Sequence, residues 1–161
     1  EKLNRPVGRN YLHVCDAALG DARCGVDASD LAFRGEGVVA ETTDARSLLA
    51  SGLDGYDDEW FSFGVLTWID GPAAGLSVNV RTHRKEDGGA LIELGRDFIE
   101  APTTGDRFAV VAGCDKRFET CRQKFGNIRN FRGFPFIPGE TWMGAYPVEG
   151  GVYDGGSRAG S

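Results

Sequence analysis

Trp60-Phe-Ser-Phe-Gly-Val-Leu-Thr-Trp-Ile69 is the stretch from which the fold is read. At a period of two, Phe61, Phe63, Val65, Thr67 and Ile69 share one face, and Trp60, Leu66 and Trp68 share the other. That alternation predicts a strand. A strand apolar on both faces is central or packed on two sides. Asp70-Gly-Pro-Ala-Ala-Gly75 follows with turn chemistry. Leu76 to Arg84 then alternates again, with Leu76, Val78 and Val80 on one face and Asn79, Arg81 and His83 on the other. The two runs predict a hairpin.

Outward from that hairpin, Gly37 to Thr43, Ala90 to Leu94, the short Phe98 to Glu100 and Arg107 to Ala112 read as further strands. Ala45 to Ala50 reads as a brief helix closed by Gly52, and Asp16 to Leu19 as one helical turn stopped by Gly20. Asp115 to Phe125 reads as a helix with Asp115 as its cap and Gly126-Asn127 as its close. Phe118, Cys121 and Phe125 then share its apolar face. Glycine is 24 of 161 residues, about twice the usual share, and spread along the chain, which suits many turns. The expected fold is mainly β: antiparallel strands in a small barrel-like domain with short helices, stapled by a four-cysteine metal cluster. Residues 1–10 read as an incoming linker, 11–149 as one cysteine-ligated domain, and the Gly/Ser-rich 150–161 as a flexible C-terminal segment. The chain opens on Glu1 and its one methionine is Met143, so further sequence ahead of Glu1 is expected.

The mean hydropathy is −0.28, and no apolar run approaches the roughly 20 residues a membrane span needs. No signal-peptide pattern is visible. A net charge of −6 argues against nucleic acid as a direct, specific ligand. The charge is uneven. Lys116, Arg117, Arg122, Lys124, Arg129 and Arg132 face only Asp115 and Glu119 between Cys114 and Gly133, giving that segment +4.

Cys15, Cys24, Cys114 and Cys121 form C-x8-C and C-x6-C pairs separated by 89 residues. Three chemistries compete for them. Disulfides or buried free thiols are the plain reading, and disulfides need an oxidising compartment. Structural zinc favours knuckles of about two to four intervening residues, shorter than either gap. An iron–sulfur cluster is wider than one ion and accepts ligands from looser loops. Its net negative charge suits the +4 segment. Arg23 beside Cys24 and the basic residues around the second pair are expected to favour thiolates. Gly25, Gly113 and Gly126 are expected to let backbone N–H groups reach the sulfurs.

No hydrolase, zinc-protease or phosphate-loop motif is present. His13 and His83 are too few and too scattered for acid–base catalysis. His13, two residues before Cys15, is disfavoured as a stray ligand because four cysteines already complete a cluster, and as the partner of a cysteine nucleophile because the two are sequence neighbours and not a triad brought together by a fold. Asp57-Asp-Glu59 reads as a solvated acidic loop. The aromatic residues Trp60, Trp68, Phe131, Phe134, Phe136 and Trp142 read as core or interface, with a sugar platform as a weaker option.

Gly113-Cys-Asp-Lys-Arg-Phe-Glu-Thr-Cys121, Lys124-Phe-Gly-Asn127 and Asn130-Phe-Arg-Gly-Phe-Pro135 resemble the tail hub family of gene transfer agents and siphophages, which includes the lambda tail-tip protein L. Leu19-Gly-Asp-Ala-Arg-Cys-Gly-Val-Asp27 and Phe63-Gly-Val-Leu-Thr-Trp68 add to the likeness, which covers residues 11 to 143. The resemblance implies a non-enzymatic structural component of a tail tip or baseplate hub, assembled in the bacterial cytoplasm and carried in the particle's tail. It implies a 4Fe–4S cluster on Cys15, Cys24, Cys114 and Cys121. It also implies a homotrimer or similar ring between the distal tail ring and the central tip or fibre protein, and an N-terminal hub portion that this chain lacks. The readings held beside it are a redox-active iron–sulfur module and a zinc-stabilised binding module.

Overall fold

The computed structural model describes residues 11–137. The expected linker 1–10 and flexible segment 150–161, together with Trp142, lie outside them. Six antiparallel strands close into a barrel in the order β1-β2-β5-β4-β3-β6. They are β1 (Arg34–Thr42), β2 (Ser47–Ser51), β3 (Val65–Trp68), β4 (Ser77–Glu86), β5 (Gly89–Leu94) and β6 (Arg107–Val111). One helix, α1 (Phe118–Gln123), follows, and 3-10 turns lie at Leu31–Phe33 and Ile128–Asn130. The mainly β, barrel-like expectation holds. Among the described residues, no helix is long and apolar enough to cross a membrane.

The lumen is filled by Leu48, Phe61, Leu66, Ile92, Phe108 and Val110, all fully buried. Small barrels fit large side chains by facing them with small ones. Strand β1 does this with glycine. A Cβ at Gly37 would stand 2.5 Å from the Phe108 ring, and one at Gly35 would stand 2.8 Å from the Phe61 ring. The bare inner face of β1 is what admits both rings.

Five local expectations are corrected. Ala45 to Ala50 is not helical: Ala45 and Arg46 bend and β2 takes over from Ser47, with Leu48 and Ala50 fully buried. Burial of that alternating pair outweighs local helix preference. The strand expected from Trp60 begins only at Val65, because Trp60 to Phe63 turns and Phe63 takes φ +64. Phe61 is therefore buried while Phe63 is 64% exposed, although the alternation put them on one face. His83 is not on the face opposite Val80. The β4–β5 register shifts between Val80 and Thr82, and the extra residue turns His83 inward beside Val80. Phe98 to Glu100 forms no strand, and Asp16 to Leu19 is a turn without a helix.

The start of β1 pairs with the end of β6, Arg34 opposite Val111, and β3 begins opposite the same Val111. The chain enters and leaves the barrel at this end. The segments carrying the two cysteine pairs are therefore delivered side by side.

Candidate metal centre

The segment 11–30 lies against the chain that leaves β6. Cys15 N–H donates to the Lys116 carbonyl at 2.8 Å, and Phe134 N–H donates to the Leu12 carbonyl at 2.8 Å. Lys116 Nζ donates to the Ala17 carbonyl at 2.5 Å, and Asn127 Nδ2 donates to the Cys24 carbonyl at 2.6 Å. Local order comes from Asp21, whose carboxylate accepts the N–H groups of Ala18, Arg23 and Cys24 and fixes the turn before the second cysteine. Those bonds hold the Asp21 carboxyl below the usual carboxylate range.

Helix α1 is shorter than the expected Asp115–Phe125. Asp115 does not cap it; its carboxylate accepts the N–H of Arg117 at 2.9 Å, in the turn ahead of the helix. The helix turns Cys121 inward to 8% exposure. Phe125 packs on Phe33 at 5.1 Å, which seats this layer on the barrel end, and Phe118 meets Phe131 at 5.2 Å on its outer side.

All four cysteines line one enclosed cavity, walled by Ala17, Leu19, Val26 and Phe125 and edged by Asn127 and Asn130. All four are free thiols; Cys121 is buried and the other three are half-buried. His13 is exposed and is not among the lining residues. Arg132 N–H donates to Cys15 Sγ at 3.4 Å, and Asn127 Nδ2 lies 3.8 Å from Cys24 Sγ. The Cys121 thiol donates to the Asn127 carbonyl at 3.3 Å. Among the described residues, no three His, Cys, Asp or Glu side chains converge tightly enough to hold a single metal ion. Four soft sulfur donors with no competing carboxylate suit a thiophilic group wider than one ion.

Two expectations about this site are corrected. At Cys114 and Cys121 burial outweighs the basic neighbours. Burial pushes Cys114 up despite the N–H and charge of Lys116, and pushes Cys121 up to about 11, helped by the three other sulfurs. A metal here must displace protons, so binding releases them. Nor do Gly25 and Gly113 offer N–H groups to sulfur: they donate to the Asp21 and Trp60 carbonyls. Gly113 is needed on the barrel side, where a Cβ would stand 1.8 Å from the Ser62 carbonyl oxygen. Within the positive segment, Lys116 and Arg117 line the cysteine cavity, while Lys116 and Lys124 tie down backbone carbonyls. Lys124 Nζ donates to the Gly113 carbonyl at 2.8 Å and to the Trp60 carbonyl, and stands 4.8 Å over the Trp60 ring. The periodicity could not disclose this role of Lys124; a lysine immediately past a helix end carries no sequence mark. Asp57, Asp58 and Glu59 border a separate cleft shared with Glu119 and Lys124.

The site is thus a four-thiol layer on one end of a closed six-strand barrel, drawn from the chain on both sides of the barrel. The chain belongs to the family described as phage conserved hypothetical protein BR0599, which matches residues 59–141, just over half of it. A second family, described as baseplate hub protein, N-terminal attachment domain, matches residues 1–27. The first cysteine pair thus falls in one matched stretch and the second pair in the other. A chain in the virion of a native gene transfer agent particle is 44% identical, with a TM-score of 0.77. That match covers 97% of this chain and 54% of the other, so this chain spans about half of its length. No curated protein matches the chain.

Proposed function

We propose that this chain is a non-enzymatic part of the tail hub, at the tip or baseplate of a gene transfer agent or siphophage tail. In this reading it is similar in role to the lambda tail-tip protein L, and Cys15, Cys24, Cys114 and Cys121 together hold a 4Fe–4S cluster. The observation that carries the cluster is the convergence of two cysteine pairs, 89 residues apart in sequence, on one cavity. The 44% identity to a gene-transfer-agent virion chain supports the particle and its tail as the location. The cluster fastens the segment 11–30 to the chain leaving the barrel. Its half-buried setting behind Phe125 favours a structural over an electron-carrying role.

The partners proposed are the distal tail ring on one side and the central tip or fibre protein on the other, with copies of this chain in a trimer or similar ring. The contact surface is the aromatic segment that follows the cysteine layer. There Phe136 is 85% exposed and Phe134 is 36% exposed. Anaerobic purification tests the cluster. Brown protein absorbing at about 400 nm with about four irons and four sulfides per chain is expected. Colourless protein carrying one zinc per chain overturns it.

A further inference from the structure

His83 is a fully buried side chain, and neither of its ring nitrogens has a hydrogen-bond partner among the described residues. Buried polar groups nearly always find partners, so an orphaned imidazole in a barrel core needs a reason. The ring stands edge-on to Phe61, with centroids 5.1 Å apart. A phenyl or isobutyl group could occupy that place with no polar atom to satisfy.

The backbone of His83 anchors the loop that precedes β3. Glu59 N–H donates to the His83 carbonyl at 3.0 Å, and His83 N–H donates to Ser62 Oγ at 2.8 Å. One residue pair along, Lys85 N–H donates to the Asp58 carboxylate at 2.9 Å. The same loop presents the Trp60 carbonyl that Lys124 grips from the cysteine layer. One loop is therefore held by β4 on one side and by the cysteine layer on the other. Two of its residues, Glu59 and Phe63, sit at positive φ, a strained backbone that persists only while its surroundings hold it.

We propose that His83 is an acid-sensitive latch: protonation of its buried ring releases the 57–64 loop from β4 and loosens the barrel's hold on the cysteine layer. The inference stands apart from any cluster. The charged groups facing the ring are Asp58 and Glu59 from the loop, Lys85 from β4 and Lys124 from beyond α1. The carboxylates favour a charged ring and the lysines oppose it, but burial dominates and holds the imidazole below its ordinary value of 6.5. An imidazolium gains a partner by drawing Asp58 or Glu59 inward, and neither bonds the ring in the closed loop. The sign follows from the depressed folded value. Stability is complete above 6.5 and falls as pH drops toward the folded pKa, about tenfold in the folding constant for each pH unit.

The test uses the full chain between about pH 8 and pH 5, the range in which histidine switches act. Ring resonances are followed by NMR, with His13→Gln separating the two histidines, and amide exchange is followed over 57–64. The latch predicts a ring that stays neutral through pH 6.5 and a loop whose amides lose protection as the ring finally titrates. A ring that titrates at 6.5 while the loop keeps its protection overturns it. Denaturation of wild type and His83→Phe gives the second reading. Wild type should lose stability more steeply on acidification than the variant, and equal slopes overturn the proposal. Should His83→Phe fail to fold, ring titration and exchange on the wild-type chain decide alone.

Discussion

The backbone N–H of Cys15 donates to the carbonyl of Lys116 at 2.8 Å, joining the first cysteine to the loop between the third and fourth. That loop turns at Lys116 with φ +68. Lys116 also reaches the Ala17 carbonyl, so backbone and side chain of one residue hold the segment 11–30 from two sides. That segment is thus docked by ordinary hydrogen bonds as well as by any bound metal.

The first prediction follows from that docking. Replacing any one of Cys15, Cys24, Cys114 or Cys121 by Ser should abolish iron binding, because a hydroxyl is a poor substitute for the soft thiolate an iron–sulfur cluster requires. Residues 11–25 and 114–135 should lose amide protection first, and the barrel strands should keep theirs. Iron analysis and hydrogen exchange on the four variants check this. If Cys15 and Cys24 variants kept full iron while the other two lost it, one shared site would be wrong.

Lys124 joins the cysteine layer to the barrel through two carbonyls and the Trp60 ring. Lys124→Met keeps the stem but leaves both carbonyls without their donor, which should cost about 1–3 kcal/mol. Burial pushes the ammonium of Lys124 down to about 8 from 10.5. Between those values the unfolded chain holds the extra proton, so this contribution raises stability as pH climbs from about 8 toward 10.5. The neutral amine still has two N–H donors for its two carbonyls. Denaturation curves across that range should show the rise in wild type relative to Lys124→Met. Parallel curves would refute the assignment.

Gly113→Ala should be among the most damaging single substitutions. Its Cβ would stand 1.8 Å from the Ser62 oxygen and 2.3 Å from the Gly64 nitrogen, both backbone atoms that cannot step aside. A loss of several kcal/mol, about the exceptional end for one substitution, is expected in urea denaturation. Gly126→Ala is the comparison: no atom lies within 4 Å of its Cβ, and only its φ of +57 opposes the change. That variant should lose about 1 kcal/mol. Equal losses for the two would show that backbone crossing at Gly113 is not what holds the end of β6.

The barrel was legible because its strands alternate: β1, β5 and β6 lie close to where period-two patterning puts them. The errors have particular causes. A bulge at Val80–Thr82 reverses a face, and a left-handed turn at Phe63 breaks a run whose residues all suit a strand. Neither device leaves a mark in apolar periodicity, and Phe63 lacks the glycine that usually announces positive φ. The spacing of the cysteines set them out as two pairs, and the fold brings both pairs to one cavity. The raised pKa values of Cys114 and Cys121 were not legible, because burial is a property of the assembled layer. The orphaned ring of His83 was hidden by the same bulge.

The last prediction concerns the aromatic segment. Tyr11 meets Phe134 edge-on at 4.7 Å, and Phe118 meets Phe136 at 5.8 Å. These rings sit on the cysteine layer, outside the barrel core that holds Phe61 and Phe108. Phe136 is 85% exposed, so cutting it back removes little buried area from the isolated chain. Aromatic and Arg residues dominate interface hot spots, and Arg132 lies between Phe131 and Phe134. Changing Phe134 and Phe136 to Ser should leave the barrel folded, with a stability loss of about 1–2 kcal/mol from the half-buried Phe134. The same variant should yield particles whose tails lack an attached tip, scored by electron microscopy. A folded variant that assembles complete tails would move the contact surface elsewhere. Collapse of the isolated domain together with intact tails would make the segment part of the domain's own packing.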